Sequence, residues 1–416
     1  MRFAWTFHNV NAFLLDYGWL WRALGMISSV ILILIGIVGA EGGSAAAGTE
    51  PPEGVAMLKF EKTRIGTVTY EAAAIFDVNN DGIMDIVSGE YWFEGPDFKK
   101  QHKICSVKQS EDYFDDFSDY PMDVNGDGYL DIITGGWWGE TLQWRENPKG
   151  QPVEWKTYDI EKTGNIERAC FWDVDRDGQV EVVPNCPGKP YMVFKLERGA
   201  DGKGTGKFTK HVVSDLPQGH GLGFGDISGS KRGDLISAGG WLEAPADPWG
   251  GKWEWRPEFN FGGASVPILV HDVNGDGLND IIVGQGHDYG LAWWEQSKDG
   301  DGKRTWIKHD IDTRRSQYHD MQLVDIDNDG QLELITGKRY RAHQENDPGS
   351  LDPIGIYYFK INGGNFVRHT IDYGPAGQAS GAGIYFWVQD IDGNGWKDIL
   401  APGKDGLFLF KNLGTK

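Results

Sequence analysis

The sequence predicts an all-β chain folded as a single seven-bladed β-propeller, and three observations carry that expectation. A nine-residue acidic loop, complete in Asp272-Val273-Asn274-Gly275-Asp276-Gly277-Leu278-Asn279-Asp280, recurs with its first Asp at Asp77, Asp123, Asp173, Asp226, Asp272, Asp325 and Asp390. The spacings of 46, 50, 53, 46, 53 and 65 residues lie near the roughly 40–50-residue period of propeller blades. Each period also reads as several short strands, because β-branched and apolar runs flank the loop.

Within a period, a short apolar strand enters the loop and a second strand leaves it, as in Asp85-Ile86-Val87-Ser88 or Asp131-Ile132-Ile133-Thr134. An aromatic third strand follows, such as Leu291-Ala292-Trp293-Trp294-Glu295 or Gly355-Ile356-Tyr357-Tyr358-Phe359. A fourth, outer strand closes the unit, such as Trp306-Ile307-Lys308-His309-Asp310-Ile311 or Phe366-Val367-Arg368-His369-Thr370-Ile371. The last copy ends on Leu407-Phe408-Leu409-Phe410 with no fourth strand, whereas Leu58 to Ile65 precedes the first loop and has the outer-strand pattern. That orphan is expected to complete the seventh blade, so that the two chain ends zip the ring and leave no open edge. One propeller then accounts for residues 56–416.

Ahead of it, Leu24 to Ala40 is nearly all apolar, Arg2 and Arg22 lie upstream, and residues 41–55 form a small-residue linker. Residues 1–40 read as a secretory signal peptide, cleaved near Ala40 or within Ala45 to Ala47, or as an uncleaved amino-terminal anchor of marginal length. Either way the body is expected outside the cytoplasm: secreted, periplasmic or at the cell surface. Cys105, Cys170 and Cys186 are an odd number for an exported chain. A Cys170–Cys186 disulfide is conceivable, and three buried thiols are the alternative.

The net charge of −21 excludes a nucleic-acid partner, which requires a basic face. Of the 61 acidic residues, 22 lie in the seven loops, so bound cations rather than a basic partner are expected to offset them. Oxygen-bearing side chains at positions 1, 3, 5 and 9, with Gly at 6, suit Ca²⁺. The final acid at 9 rather than 12, between strands rather than helices, excludes an EF-hand. The expected ligands are Asp77, Asn79, Asp81 and Asp85; Asp123, Asn125, Asp127 and Asp131; and Asp272, Asn274, Asp276 and Asp280. Two further loops have four carboxylates, namely Asp173, Asp175, Asp177 and Glu181, and Asp325, Asp327, Asp329 and Glu333. The last has Asp390, Asp392, Asn394 and Asp398. The Asp226 loop, with Ser228, Ser230 and Lys231, is expected to bind no ion. A polar turn held by Asx hydrogen bonds, without metal, is the alternative for each loop.

The opposite face is reached by counting back. Six residues before each leading Asp stand Glu71, Phe117, Glu167, His220, Val266, His319 and Ile384. First strands line a propeller channel, so these positions form a ring at its mouth. His with carboxylate suits a transition-type divalent ion such as Zn²⁺. Second-strand exits add Glu90, His287, Lys338 and Arg339, with His343 in the insertion from Arg341 to Pro353. Tyr91, Trp92, Trp137, Trp138 and Trp241 fall near the same exits. Aromatic faces beside charged groups in a concave mouth suit a sugar. Histidines hydrogen-bonded to backbone or water, and tryptophans packed between blades, are the alternative.

The loops with their apolar sequels resemble FG-GAP or VCBS repeats, the integrin-α type of propeller. A closer resemblance runs through His220-Gly221-Leu222-Gly223-Phe224-Gly225-Asp226, Ala264 to Asp272, Gly286 to Leu291, Tyr318-His319-Asp320 and Gly337 to His343. That series looks like the propeller domain of aldos-2-ulose dehydratases, enzymes that eliminate water from keto-sugars with divalent metal help. Their cupin domains have no counterpart in it, so any step belonging to the cupins is expected to be missing. The resemblance implies a carbon–oxygen lyase. His220, His287 and His319 would be ligands of the channel ion, and Glu71 or Glu167 a fourth ligand or base. Arg339 and His343 would orient substrate or stabilise an oxyanion. A non-catalytic integrin-like propeller, binding glycan or protein through the same face, is the other reading.

Overall fold

The computed structural model describes residues 57–415; the signal-peptide, anchor and linker expectations lie outside them. Seven four-stranded antiparallel sheets follow one another in chain order, numbered here as blades 1 to 7. Blade 5 is typical: Leu269–His271 enters the acidic loop, Asp280–Gly284 leaves it, and Tyr289–Lys298 and Arg304–Ser316 form the outer half. In blade 7, Trp387–Gln389, Asp398–Gly403 and Gly406–Thr415 are joined by Leu58–Gly66 as the fourth strand. That strand runs antiparallel to Gly406–Thr415, with Lys62 opposite Phe410. On the inner side Ala73 N–H donates to Tyr385 O at 3.1 Å, which ties blade 1 to blade 7.

The core lies between blades, not within one. In the second strand of blade 5, Ile281 and Val283 pack towards Trp241 and Ile236 of blade 4, while Ile282 packs towards Met321 and Leu334 of blade 6. Side chains alternate across a strand, so a run that is apolar at every position serves two interfaces. Ile132 and Ile133 do the same for blades 1 and 3. Each fully buried Ile is worth about 1.5–3 kcal/mol.

All three cysteines are free and buried, so the Cys170–Cys186 disulfide does not form. Trp241 and Trp92 are 0% and 2% exposed. They pack between blades, beneath the Arg304 guanidinium and beside the His102 ring respectively, and do not reach the mouth. An unforeseen hairpin, Gln109–Ser110 with Tyr113–Phe114, sits between blades 1 and 2.

Candidate metal centre and channel-mouth pocket

The counted-back positions converge as expected for Glu167, His220 and His319, which lie just before the first strands Arg168–Trp172, Leu222–Gly225 and Met321–Val324. His287 joins them from the turn after Asp280–Gly284. One ligand atom from each of the four lies within 4.8 Å of all the others. His319 Nε2 is 3.0 Å from Glu167 Oε1, His220 Nε2 is 3.3 Å from the same oxygen, and His220 and His287 meet Nε2 to Nε2 at 2.9 Å. The turn carrying His287 passes so close that a Cβ on Gly286 would stand 3.2 Å from the rings of both His220 and His319. Only glycine leaves that space free.

Proton bookkeeping exposes an unresolved contact. The Nδ1 of His220 is 2.7 Å from Ala264 O, an acceptor, so Nδ1 must carry the proton. The Nδ1 of His287 is 2.8 Å from Asp347 Oδ2, and burial notwithstanding, His287 and His343 hold that carboxyl down at about 2. His287 Nδ1 therefore donates too. In their neutral forms both imidazoles point bare Nε2 lone pairs at each other. A proton on His220, which Glu167 favours against burial, relieves that single contact; a divalent ion would satisfy all four ligand atoms, and imidazole ligands are commonly oriented by a second hydrogen bond such as these rings make. Three of the six separations, at 2.9, 3.0 and 3.3 Å, lie at or somewhat below the roughly 3.3–3.4 Å edge of a tetrahedron with about 2.0–2.1 Å metal–nitrogen bonds. Although burial pushes Glu167 up, His220 and His319 hold it well below the usual carboxylate range. His319 is the least supported member, because its buried Nδ1 has no partner.

Glu71 is not part of this set. Arg339 grips it from Nε at 2.8 Å and Nη2 at 3.2 Å, and Lys404 lies 3.8 Å away. Of the two glutamates, Glu167 is thus the one placed to be a ligand. Arg339, 2% exposed, is an ion-pair partner first, although it also lines the mouth pocket. Lys338 is wholly buried, bonded to Gln317, Arg339 and Ser350, and pulled down to about 8 by burial. Glu90 accepts from Val107 N–H at 2.7 Å. His343 stacks on His287 at 4.5 Å and shares Asp347 with it through Nδ1.

A cavity of about 240 Å³ opens beside Glu167, walled by Tyr113, Phe117, Trp137, Trp138, Arg339 and His343. Four aromatic faces and three ionisable groups make it suited to a small polyhydroxylated ligand. One residue further along the strands, Arg168 and Asp320 pair across the axis, and Asp320 Oδ2 accepts from Phe386 N–H at 2.9 Å. This layer floors the cluster.

At the other face each loop is folded by its own carboxylates. The leading Asp accepts from backbone N–H groups at positions 5 and 6, as Asp77, Asp123, Asp173, Asp272, Asp325 and Asp390 all do. Asp81, Asp127, Asp177, Asp276, Asp329 and Asn394 accept from position 7. The acid at position 9 has a role the sequence hid. Asp280 takes Val273 N–H on one oxygen and Gln296 N–H on the other, stapling the loop to the third strand. Asp85, Asp131 and Asp398 repeat this, as does Asp234 in the acid-poor loop of blade 4. There Lys231 adopts a φ of 63° where the other loops place glycine.

Three contributors went unread. Tyr113 comes from the unforeseen hairpin, whereas Asp347 had a local signal, four residues after His343. The Arg168–Asp320 pair was marked only by adjacency to Glu167 and His319.

The FG-GAP-like repeat family model matches residues 123–183 and 272–336, each stretch holding two acidic loops. No curated protein matches the chain. Among solved structures, BBS1N, in complex with ARL6DN, is 10% identical over 86% of this chain and 97% of its own, with a TM-score of 0.50. A lectin of Agrocybe aegerita, described as recognising non-reducing terminal N-acetylglucosamine, is 14% identical over 84% of this chain and 91% of its own, with a TM-score of 0.44. At 10% identity, the likeness to BBS1N is one of fold alone. Within residues 123–183 and 272–336 the chain matches FG-GAP-like repeats, and its sheets are arranged as a seven-bladed β-propeller.

Proposed function

We propose that the chain is an exported, Ca²⁺-binding propeller whose channel mouth is a metal-dependent carbohydrate lyase, dehydrating a keto-sugar. The observation that carries this is the convergence of Glu167, His220, His287 and His319, with the Nε2 atoms of His220 and His287 2.9 Å apart. A Zn²⁺-class ion bound there supplies a Lewis acid for a carbonyl oxygen. The chain's own residues do the rest. Trp137, Trp138, Tyr113 and Phe117 take the apolar face of a sugar ring. His343, steadied by Asp347, stands at the pocket edge to take the proton from carbon and hand it to the departing hydroxyl, and Arg339, held by Glu71, lines the wall that orients hydroxyl and carbonyl groups. The acidic loops would take Ca²⁺ at the opposite face, and Leu58–Gly66 is read as the clasp that closes the ring. The apolar run from Leu24 to Ala40 supports export.

The test is elemental analysis of purified protein before and after mild chelation, followed by keto-sugar dehydration assays. About one tightly held transition-type ion per chain, lost together with turnover in His220→Ala and His319→Ala, is the expected result. Unchanged metal content and turnover in those variants would place the centre elsewhere. A second reading, a non-catalytic propeller binding glycan or protein through this mouth, is favoured by the FG-GAP-like repeat match; Ca²⁺ alone in the analysis would select it.

A further inference from the structure

The acidic loops divide into two kinds, and the division is written in the strand facing them. One residue on the third strand recurs beside each loop, immediately after the residue paired with the start of the second strand. In blades 1, 2 and 5 it is Glu94, Glu146 and Glu295, and loop position 3 is Asn79, Asn125 and Asn274. In blades 3, 6 and 7 it is Lys195, Lys360 and Lys411, and position 3 is Asp175, Asp327 and Asp392. The two positions change together: amide with carboxylate, or carboxylate with ammonium.

The contacts follow the pattern in five of the six loops; in blade 1 Asn79 donates to Asp81, and Glu94 is taken by Lys100 and His102. Asn125 and Asn274 donate from Nδ2 to Glu146 and Glu295, each at 3.3 Å. Lys195 Nζ lies 2.5 Å from Asp175, 2.7 Å from Asp177 and 3.1 Å from Glu181. It therefore touches three of the four carboxylates that would ligate an ion. Lys360 reaches Asp327 and Asp329, and Lys411 reaches Asp392 at 3.3 Å. The three lysine side chains are exposed to nearly the same extent, 27%, 26% and 27%. In blade 4, where serines replace the middle acids, Glu243 turns instead to Arg256.

We propose that Lys195, Lys360 and Lys411 are built-in counter-cations, so that the loops of blades 3, 6 and 7 hold their fold without a divalent ion. Calcium then acts on the loops of blades 1, 2 and 5, a clause that rests on the calcium reading above. A primary ammonium on a strand anchored to the loop is present at a high, fixed local concentration. A free ion must displace it before binding. Beside the asparagine loops that strand position holds no ammonium, and Lys149, 64% exposed, comes no nearer to Asp127 than 3.9 Å. The side chain facing them is a carboxylate, which adds to the pull on a cation.

The test uses the full chain and exchanges the two kinds of pair. In EDTA, Lys195→Glu places a third-strand carboxylate against Asp175, and the melting temperature should fall by about 2–4 °C. Asp175→Asn with Lys195→Glu rebuilds the pair found in blades 2 and 5 and should recover most of that loss. Lys195→Met carries the same test if the charge reversal does not fold. In equilibrium dialysis with Ca²⁺, the wild type should take about three ions and the Asp175→Asn, Lys195→Glu variant about one more. A wild type that takes six ions with its lysines in place overturns the proposal. So does a Lys195→Glu or Lys195→Met variant as stable as wild type in EDTA. No bound Ca²⁺ in the wild type, with the stability loss and recovery intact, would uphold the lysines as counter-cations and remove the calcium reading instead.

Discussion

The two ends of the channel are built on opposite principles. At the loop face most carboxylates are answered within their own blade, Asp272 by N–H groups of its own turn and Asp280 by Val273 and Gln296, although Asp175 also accepts from Trp249 of blade 4. At the mouth the partners come from distant blades: Glu167 and His319 are 152 residues apart, Glu71 and Arg339 268. The loop face is one local solution used repeatedly. The mouth is a single assembly that exists only once the ring has formed, so damage to it should appear first in metal or ligand binding and in long-range ion pairs. Damage to a loop should appear as a local loss of stability.

Breaking the long-range pair is the harshest way to test that contrast. Arg339→Met strands Glu71 in a buried site with only Lys404 at 3.8 Å, and denaturant unfolding should show a loss of about 3–5 kcal/mol. A smaller effect is expected at the carboxylate hydrogen-bonded behind His287. Asp347→Ala removes the acceptor that orients His287, and competition with a chromogenic chelator should show metal affinity lower by about 10–100-fold, with the fold intact. At the loop face, Asp234→Asn deprives one backbone N–H group of its acceptor and should cost about 1–3 kcal/mol whether or not Ca²⁺ is present. Asp131→Asn should lose a similar amount in EDTA. A loss seen only with Ca²⁺ would mean that position 9 serves the ion and not the strand.

The mildest effect is on acid stability. Burial raises the Glu71 pKa, but Arg339 and Lys404 outweigh it and hold the group below its ordinary 4.5. A carboxylate depressed on folding contributes stability that is complete above 4.5 and is lost as pH falls through its lower folded value. Unfolding free energies measured from pH 7 down to pH 3 should therefore fall less steeply below 4.5 in Glu71→Gln than in wild type.

The contrast also explains what could be read from the chain. The repeat carries its phase, so counting six residues back from each leading Asp located Glu167, His220 and His319 before any contact was known. The same count grouped Glu71 with them, because phase says which face a residue meets and not which partner claims it. Arg339 lies outside the counted positions. Tyr113 and Asp347 sit in the hairpin and the insertion, which follow no repeat. Trp138 and Trp241 look alike in sequence, yet one lines the mouth and the other is sealed by the next blade, a difference set by inter-blade packing. The stapling role of the position-9 acids could not be read, because the groups they accept from are backbone N–H groups, which leave no mark on residue identity.

The most direct test is X-ray absorption at the edge of the metal retained by purified protein, in wild type and in His287→Ala. The account predicts a low-coordinate site with imidazole scatterers at about 2.0–2.1 Å, losing one imidazole in the variant. A shell made only of oxygens at about 2.3–2.6 Å, unchanged by the substitution, would contradict it.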